Sequence, residues 1–282
     1  MLSYRHAFHA GNFADVLKHS VLTLVLEYMT RKDKGFYYID SHSGAGMYQL
    51  EDEYAQKTGE YKDGIAKLID NEDLPEALQP YIDLVKDINQ AEQSDELALY
   101  PGSPGIARQF TRRQDSAHLF ELHPADIEHL QAYSQRWNKS HVKQSDGYQG
   151  VLGLVPPPSR RGVVLIDPPY ELKEDYLKAV RTIVNAYKKF ATGTYILWYP
   201  VVKRELVEQM QDAFTKSDVR NLLQVEFCQK ADTQEYGMTG TGLFIVNPPW
   251  QLNSQLAEIL PYLKAKLGST DTSFTLKQLI AE

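Results

Sequence analysis

The chain has 282 residues, 43% of them apolar and 24% charged, enough to bury a sizeable core in one large domain. Its single cysteine, Cys228, excludes an internal disulfide framework and fits a reducing compartment. The most apolar early run, Val21 to Met29, is too short to span a bilayer and is not a signal segment, so a cytoplasmic protein is expected.

The net charge of −7 argues against a nucleic-acid partner until its distribution is seen. Residues 51–100 hold 14 Asp/Glu against 4 Lys/Arg, a net −10, which leaves +3 for the rest. Basic pairs outside that segment include Arg112–Arg113, Arg160–Arg161, Lys188–Lys189 and Lys203–Arg204. They form a nucleic-acid footprint only if they share a face, and are solvated surface otherwise.

In chain order, the first 19 residues contain His6, His9 and His19 among aromatic and basic neighbours. Residues 13–30 carry an apolar stripe at helical spacing (Val16, Leu17, Val21, Leu24, Val25, Tyr28) and predict a helix. Phe36 to Asp40 reads as a short buried strand that runs into a Gly-rich turn, Ser41 to Gly46. Residues 50–100 read as an acidic inserted helical subdomain, with helices near 62–70 and 77–90. A further helix starts with Ser103 at its N-cap and Pro104 in its first turn.

His118 to Leu122 is a second strand. A third begins at His141 and ends at Asp146–Gly147. Gly162 to Ile166 is a fourth, stopped by Pro168 and Pro169. Helix 173–190, strand Thr194 to Pro200, helix 203–215, strands Val225 to Gln229 and Leu243 to Asn247, and a helix near 253–267 complete the chain. This alternation predicts an α/β fold with a mostly parallel seven-stranded sheet and helices on both faces. The last two strands, with no helix between them, predict one antiparallel strand.

Ligands in such sheets bind beyond the C-terminal strand ends. Asp40, His42, Gly44 and Gly46 follow the first strand, Glu121 the second, Asp146 and Gly147 the third, and Asp167, Pro168, Pro169 and Tyr170 the fourth. Glycines admit close backbone approach, an acid after the second strand suits ribose hydroxyls, and Asp146 can accept from an exocyclic amine. Singly, each has a plain alternative: a tight turn for the glycines, a helix cap for each acid.

Asp167-Pro168-Pro169-Tyr170 after a hydrophobic strand resembles the catalytic motif of S-adenosylmethionine-dependent amino methyltransferases. The N-terminal run Ser3-Tyr4-Arg5-His6-Ala7, then Gly11-Asn12-Phe13-Ala14-Asp15-Val16-Leu17-Lys18-His19, resembles the RlmJ family of bacterial 23S ribosomal RNA adenine-N6 methyltransferases. The resemblance covers essentially the whole chain, including the insert at 50–100. It departs from the general methyltransferase pattern at Asp40-Ser41-His42-Ser43-Gly44, which lacks the usual aromatic residue, and in the distance from the first strand to Glu121.

The resemblance implies a Rossmann-like methyltransferase fold over 1–282, with residues 1–30 forming an N-terminal lid and helix. S-adenosyl-L-methionine is the implied cofactor, held by His19, His42, Gly44, Ser103, Glu121, Asp146, Gly147 and Asp167. Asp167 and the Pro168 carbonyl would accept the two N6 protons, and Tyr170 would stack on the base. Tyr4 would meet the target adenosine, with Arg5 and Lys18 close to the RNA backbone. The expected partner is 23S ribosomal RNA, naked or in an early assembly particle, recognised by a monomer with no membrane.

One cysteine and scattered histidines do not supply zinc spacing, and no metal is expected. A DNA or protein amine methyltransferase and a non-enzymatic RNA-binding protein are the competing readings. Asn247-Pro248-Pro249-Trp250 looks like a second catalytic box. It lacks a carboxylate and leaves too little chain for the strands that would have to follow, so it is read as a strand end.

Overall fold

The computed structural model of the protein describes residues 5–91, 97–233 and 237–282; Tyr4 lies outside them. The first helix, α1 (Phe13–Thr30), is capped by Asn12, whose side chain accepts from the backbone N–H of Ala14 and Asp15. Such a cap stabilises by about 1 kcal/mol. Of its 18 residues 14 are buried, because the helix is covered on one side by the sheet and on the other by the insert.

The first strand, β1 (Tyr37–Asp40), is followed by a short strand β2 (Met47–Gln49), helices α2 (Glu53–Thr58) and α3 (Gln79–Ala91), and strand β3 (Leu99–Pro101). Between α2 and α3 the expected helix near 62–70 is replaced by two 3-10 turns, Glu60–Asp63 and Ile65–Lys67. Gly59 and Gly64 bracket the first of these, and Gly59 takes a left-handed φ of 63° that continues no helix. The β2 and β3 strands pair antiparallel, Met47 opposite Pro101, and draw the ends of the insert together. The apolar side chains of the insert, including Ile65, Tyr81 and Val85, join the same buried cluster as Val16 and Leu17 of α1.

Helix α4 (Ser103–Phe110) precedes strand β4 (Ser116–Phe120), helix α5 (Pro124–Ser134), strand β5 (Ser140–Lys143) and helix α6 (Gly147–Leu154). Then come β6 (Gly162–Ile166), α7 (Glu174–Lys189), β7 (Thr194–Val201) and α8 (Arg204–Thr215). The chain ends with β8 (Leu222–Cys228), β9 (Gly240–Val246), α9 (Leu252–Leu267) and β10 (Ser273–Ile280).

The main sheet has eight strands, in the order β10-β8-β9-β7-β6-β1-β4-β5, not seven. The expected antiparallel strand is β9, which runs against both β7 and β8. The additional strand is β10, paired antiparallel to β8 at the sheet edge. Its segment alternates short polar and apolar residues, and most of it is exposed, so it presents little hydrophobic signal.

Helices cover both sheet faces. One buried cluster joins α1, α4, α5, α9 and the insert to one face, and the other joins α6, α7 and α8 to the opposite face. The central strand β6 is buried at every position, as a strand covered on both faces requires. The parallel strands β1, β4, β5 and β6 end on one edge of the sheet, where the candidate site lies.

Candidate active site

A cleft opens at the C-terminal ends of β1, β4, β5 and β6. Its walls include His42 and Gly44 after β1, Glu121 after β4, Asp146 after β5, and Asp167 with both prolines after β6. Residues spread over more than a hundred positions therefore meet because parallel strands end together.

One half of the cleft is a backbone cradle. Glu121 accepts from the N–H of Gly44 at 2.8 Å and from the N–H of Leu122 and His123, each at 2.7 Å. Burial nevertheless raises its carboxyl above the usual range. Gly44 has a φ of 60°, and a Cβ there would lie 2.2 Å from the Tyr48 hydroxyl. At Gly147 a Cβ would lie 1.8 Å from the Ser41 carbonyl, so only glycine lets α6 start this close to the loop after β1. Asp146 is the N-cap of α6, accepting from Tyr148 and Gln149 through Oδ1. Its Oδ2 faces Lys178 at 3.5 Å. Asp146 is thus both a helix cap and part of the wall.

His42 shares a 2.8 Å hydrogen bond with the Ser41 hydroxyl and meets the Tyr148 ring edge-on. Burial lowers its pKa to about 4, so the imidazole is neutral at physiological pH. Ser103 is the first residue of α4 and not its cap; Gly102 takes that position. The Ser103 hydroxyl instead donates to Asp40 at 2.6 Å, alongside the Tyr38 hydroxyl at 2.7 Å. Asp40 is fully buried, and burial pushes its carboxyl up to about 6. It supports the loop from beneath.

The other half is an ion network reaching from the N-terminus to the β6 loop. Lys18 is only 3% exposed. Its Nζ lies 2.6 Å from Asp167 and 2.8 Å from Asp15, so its charge faces two carboxylates and not an RNA phosphate. Burial opposes the charged form, but Asp15 and Asp167 overcome it and hold the ammonium well above its ordinary range. Asp15 also accepts from His6 and from the Gly11 N–H, each at 2.9 Å. Burial would raise its carboxyl, yet His6, Lys18 and His19 together hold it well below its ordinary range.

His19 shares a 2.7 Å hydrogen bond with the Tyr100 hydroxyl through Nδ1, while its buried Nε2, 3.9 Å from Asp15, has no hydrogen-bond partner among the described residues. Burial lowers its pKa to about 3. His19 is one of the residues that line the cleft, and an unsatisfied buried nitrogen there suits a polar group of a bound molecule.

Tyr170 does not line the cleft. Its φ of 51°, rare for a bulky residue, accompanies a ring packed on Tyr176 at 4.5 Å and edge-on to Trp198. Its hydroxyl donates to the Trp198 carbonyl, so in this conformation it braces the catalytic loop against β7 and does not present a stacking face. Arg5 also lies outside the cleft wall, over the Tyr54 ring and 3.9 Å from Asp126. The second Pro-Pro box sits at the opposite end of the sheet. There Asn247 donates to the carbonyls of Ala191 and Gly193, as a strand end would.

Asp15 and His6 are the participants that pattern reading left out. The signal for Asp15 was present: Asp15, Lys18 and His19 stand at i, i+3 and i+4, one face of α1. Among the described residues, no group of three or more His, Cys, Asp or Glu is arranged to hold a metal ion, and no helix is long and apolar enough to cross a membrane.

The chain matches, over residues 33–280, the family model described as ribosomal RNA large subunit methyltransferase D, RlmJ. It is 49% identical over 272 residues to an Escherichia coli protein named ribosomal RNA large subunit methyltransferase J, with 96% of each chain covered. A Haemophilus influenzae protein of the same name is 47% identical over 283 residues, with both chains fully covered. Among solved structures, a Legionella pneumophila protein superposes with a TM-score of 0.88 at 39% identity, covering 96% of this chain and 98% of that one. A probable spermidine synthase from Corynebacterium glutamicum, at 8% identity and a TM-score of 0.52 over 94% of this chain and 75% of its own, shares the fold alone. This chain belongs to the RlmJ family.

Proposed function

We propose that the protein transfers a methyl group from S-adenosyl-L-methionine to the N6 amine of a specific adenine in 23S ribosomal RNA, acting as a cytoplasmic monomer. The observation that carries this reading is Asp167 at the head of a Pro-Pro loop, facing a cleft whose other half is a glycine and carboxylate cradle.

The cradle residues suit the cofactor. Glu121 offers a carboxylate to ribose hydroxyls, and Asp146 and Gly147 border the adenine side. His42, Gly44 and His19 would hold the amino-acid end, with Ser103 supporting the wall through Asp40. The cofactor supplies a methyl group activated by a positively charged sulfur.

The adenine amine is a poor nucleophile, because its lone pair is delocalised into the ring. Asp167 and the Pro168 carbonyl would accept hydrogen bonds from its two N–H groups, favouring a more tetrahedral nitrogen and directing the lone pair toward the methyl group. Lys18 ties down Asp167 Oδ2 and leaves Oδ1 for the substrate. Asp15, Lys18 and Asp167 together carry one net negative charge, which favours the cation forming at nitrogen. Asp167 Oδ1 then takes the proton that the methylated amine sheds. Orientation of this kind supplies roughly 7–11 kcal/mol of a barrier, so placement is most of the catalysis. The base must be unstacked to enter, which favours a loop, bulge or end.

Residues 1–30 act as lid and helix: His6 joins the cleft wall and the Asp15 network, and Tyr4 is assigned to the target adenosine. The insert at 50–100 seats that lid. Glu60 accepts from Asn12 and pairs with His9, and the Ile65 N–H donates to the Gly11 carbonyl.

The test is transfer of labelled methyl to unmodified 23S RNA, with 16S RNA and DNA alongside, followed by nucleoside analysis and repeated on ribosomal particles. N6-methyladenosine in 23S RNA alone is expected. Equal modification of DNA, or no transfer to RNA or particles with cofactor bound, refutes the reading.

A further inference from the structure

If the substrate is RNA, the catalytic cleft is poorly equipped to hold its backbone. Six carboxylates line it (Glu121, Asp126, Asp146, Asp167, Glu171, Asp175) against two lysines, Lys18 and Lys178. Lys18 is already paired with two of the protein's carboxylates. The neighbouring insert carries −10. Phosphates are repelled there, and nucleic-acid affinity comes largely from cations that neutralise phosphates. The holding charge has to lie elsewhere on the molecule.

A second cavity, of about 340 Å³, lies at the other end of the sheet. Arg31, Lys32, Arg160 and Arg161 line it, and no carboxylate does. Arg161 donates to the carbonyls of Met29 and Lys34 near the end of α1, which are neutral groups, and feels the buried Asp115 carboxylate only through space. Arg31 reaches Gln251 and stands 3.6 Å from Glu27. Lys32 and Arg160 are exposed, and neither has a side-chain partner among the described residues. Arg160 is held at a left-handed φ of 54°.

The Asn247-Pro248-Pro249 segment forms one wall of this cavity. The next residue, Trp250, is 76% exposed, although a large aromatic side chain normally buries most of its surface. Asn247 fixes the wall through its bonds to Ala191 and Gly193. Trp250 borders the cavity wall in sequence, and its other neighbour, Gln251, accepts from Arg31. Cations and an exposed aromatic residue are the two components of a site for unpaired nucleic acid, charge for the backbone and a platform for a base. Gly162 of this cavity and Asp167 of the catalytic cleft stand at opposite ends of β6, about 17 Å apart at 3.3 Å per residue. Helices cover β6 on both faces, so an RNA strand that engages both sites runs around them over the surface.

We propose that this basic cavity and Trp250 form a second RNA-docking site, which anchors the backbone flanking the target while the base is delivered to the opposite edge of the sheet. This inference rests on the ribosomal RNA reading.

The test compares wild type, the double variant Lys32→Glu/Arg160→Glu and the single variant Trp250→Ala. Each is assayed on a long 23S transcript and on the shortest trimmed fragment that still accepts methyl from wild type. Binding is measured by titration over a range of salt, independently of transfer. On the long transcript, the double variant should bind at least about tenfold more weakly, with a salt slope smaller by about 1.4, the value for two lost contacts to single-stranded phosphates. Trp250→Ala should weaken binding about fivefold or more. On the short fragment, kcat and KM should stay at wild-type values, as should cofactor affinity.

Wild-type binding and slope in both variants on the long transcript overturn the docking site, as does a loss shared equally by the short fragment. RNA binding unchanged, with an acidic protein captured only by wild type, also overturns it. If wild type transfers methyl to no RNA, the parent reading fails, while the binding arm still decides whether the cavity docks RNA. Trp250→Ala alters an exposed side chain and keeps the test valid should the charge reversals disturb folding.

Discussion

Replacing Lys18 by methionine tests the buried ion network directly. The side chain keeps its approximate length and loses its charge, so Asp15 and Asp167 face each other across the site without their cation. Asp15 is 1% exposed and the Asp167 side chain 14%, so water replaces little of what is lost. Removing one member of a buried pair costs about 3–5 kcal/mol. At roughly 2 °C per kcal/mol for a chain of this size, melting should fall by roughly 6–10 °C.

The loss should depend on pH. In the wild type, Asp15 is held ionised well below its ordinary range, a stabilisation present above that range and lost as pH falls. In the variant, Asp15 keeps His6 and the Gly11 N–H but loses Lys18, so its carboxyl rises toward the ordinary range and the penalty fades as pH falls and the acid is protonated. Both effects make the gap between the two proteins widest near neutral pH and narrower toward pH 4. Thermal denaturation followed by circular dichroism from pH 4 to 8 measures it. A loss under about 1 kcal/mol at pH 7, or a gap independent of pH, refutes the assignment of Lys18 as the charge that holds these carboxylates together.

Asp167→Ala should lower kcat by about 10²–10⁴ while the fold and most cofactor affinity persist; single-turnover transfer and calorimetry separate the two, and retained turnover would move the catalytic role elsewhere. Deleting residues 2–8 should cost at least about 100-fold in RNA methylation through misplacement of the base, with cofactor binding by calorimetry largely kept. Glu121→Gln should weaken cofactor binding about 10–100-fold, the worth of a hydrogen bond to a charged group, and a Kd within twofold of wild type would remove Glu121 from the ribose. Gly147→Ala should destabilise by about 1–3 kcal/mol from overpacking against Ser41 and weaken the cofactor in parallel, read by melting with and without it.

Much of the fold was legible because its strands are short, β-branched and separated by helices with clear apolar stripes. The rule about strand ends was enough to single out Glu121, Asp146 and Asp167 from the chain, whereas His19, Ser103 and Lys18 were named only through the family resemblance. Side-chain commitments were harder to foresee. Lys18 read as a phosphate contact because nothing in its local sequence says that Asp167, 149 residues on, will meet it. Tyr170 read as a stacking ring, and the positive φ that turns it toward Trp198 has no signature beyond the two prolines before it. The strand β10 escaped notice because it is a mostly exposed edge strand whose alternating side chains bury little.

The central placement of β1 also bears on how the chain assembles. Tyr37 pairs with Ser116 on one side and Gly162 on the other, so the strand has no sheet neighbour until about eighty later residues have been made. At about 5–20 residues per second, a nascent chain waits on the order of ten seconds with the apolar faces of β1 and α1 uncovered. In that interval α1 has the acidic insert as its first available partner, since α3 contributes Tyr81, Ile82 and Val85 to the same cluster. The insert thus arrives early enough to shelter α1 during synthesis, and its negative charge keeps that intermediate apart from the RNA among which it emerges.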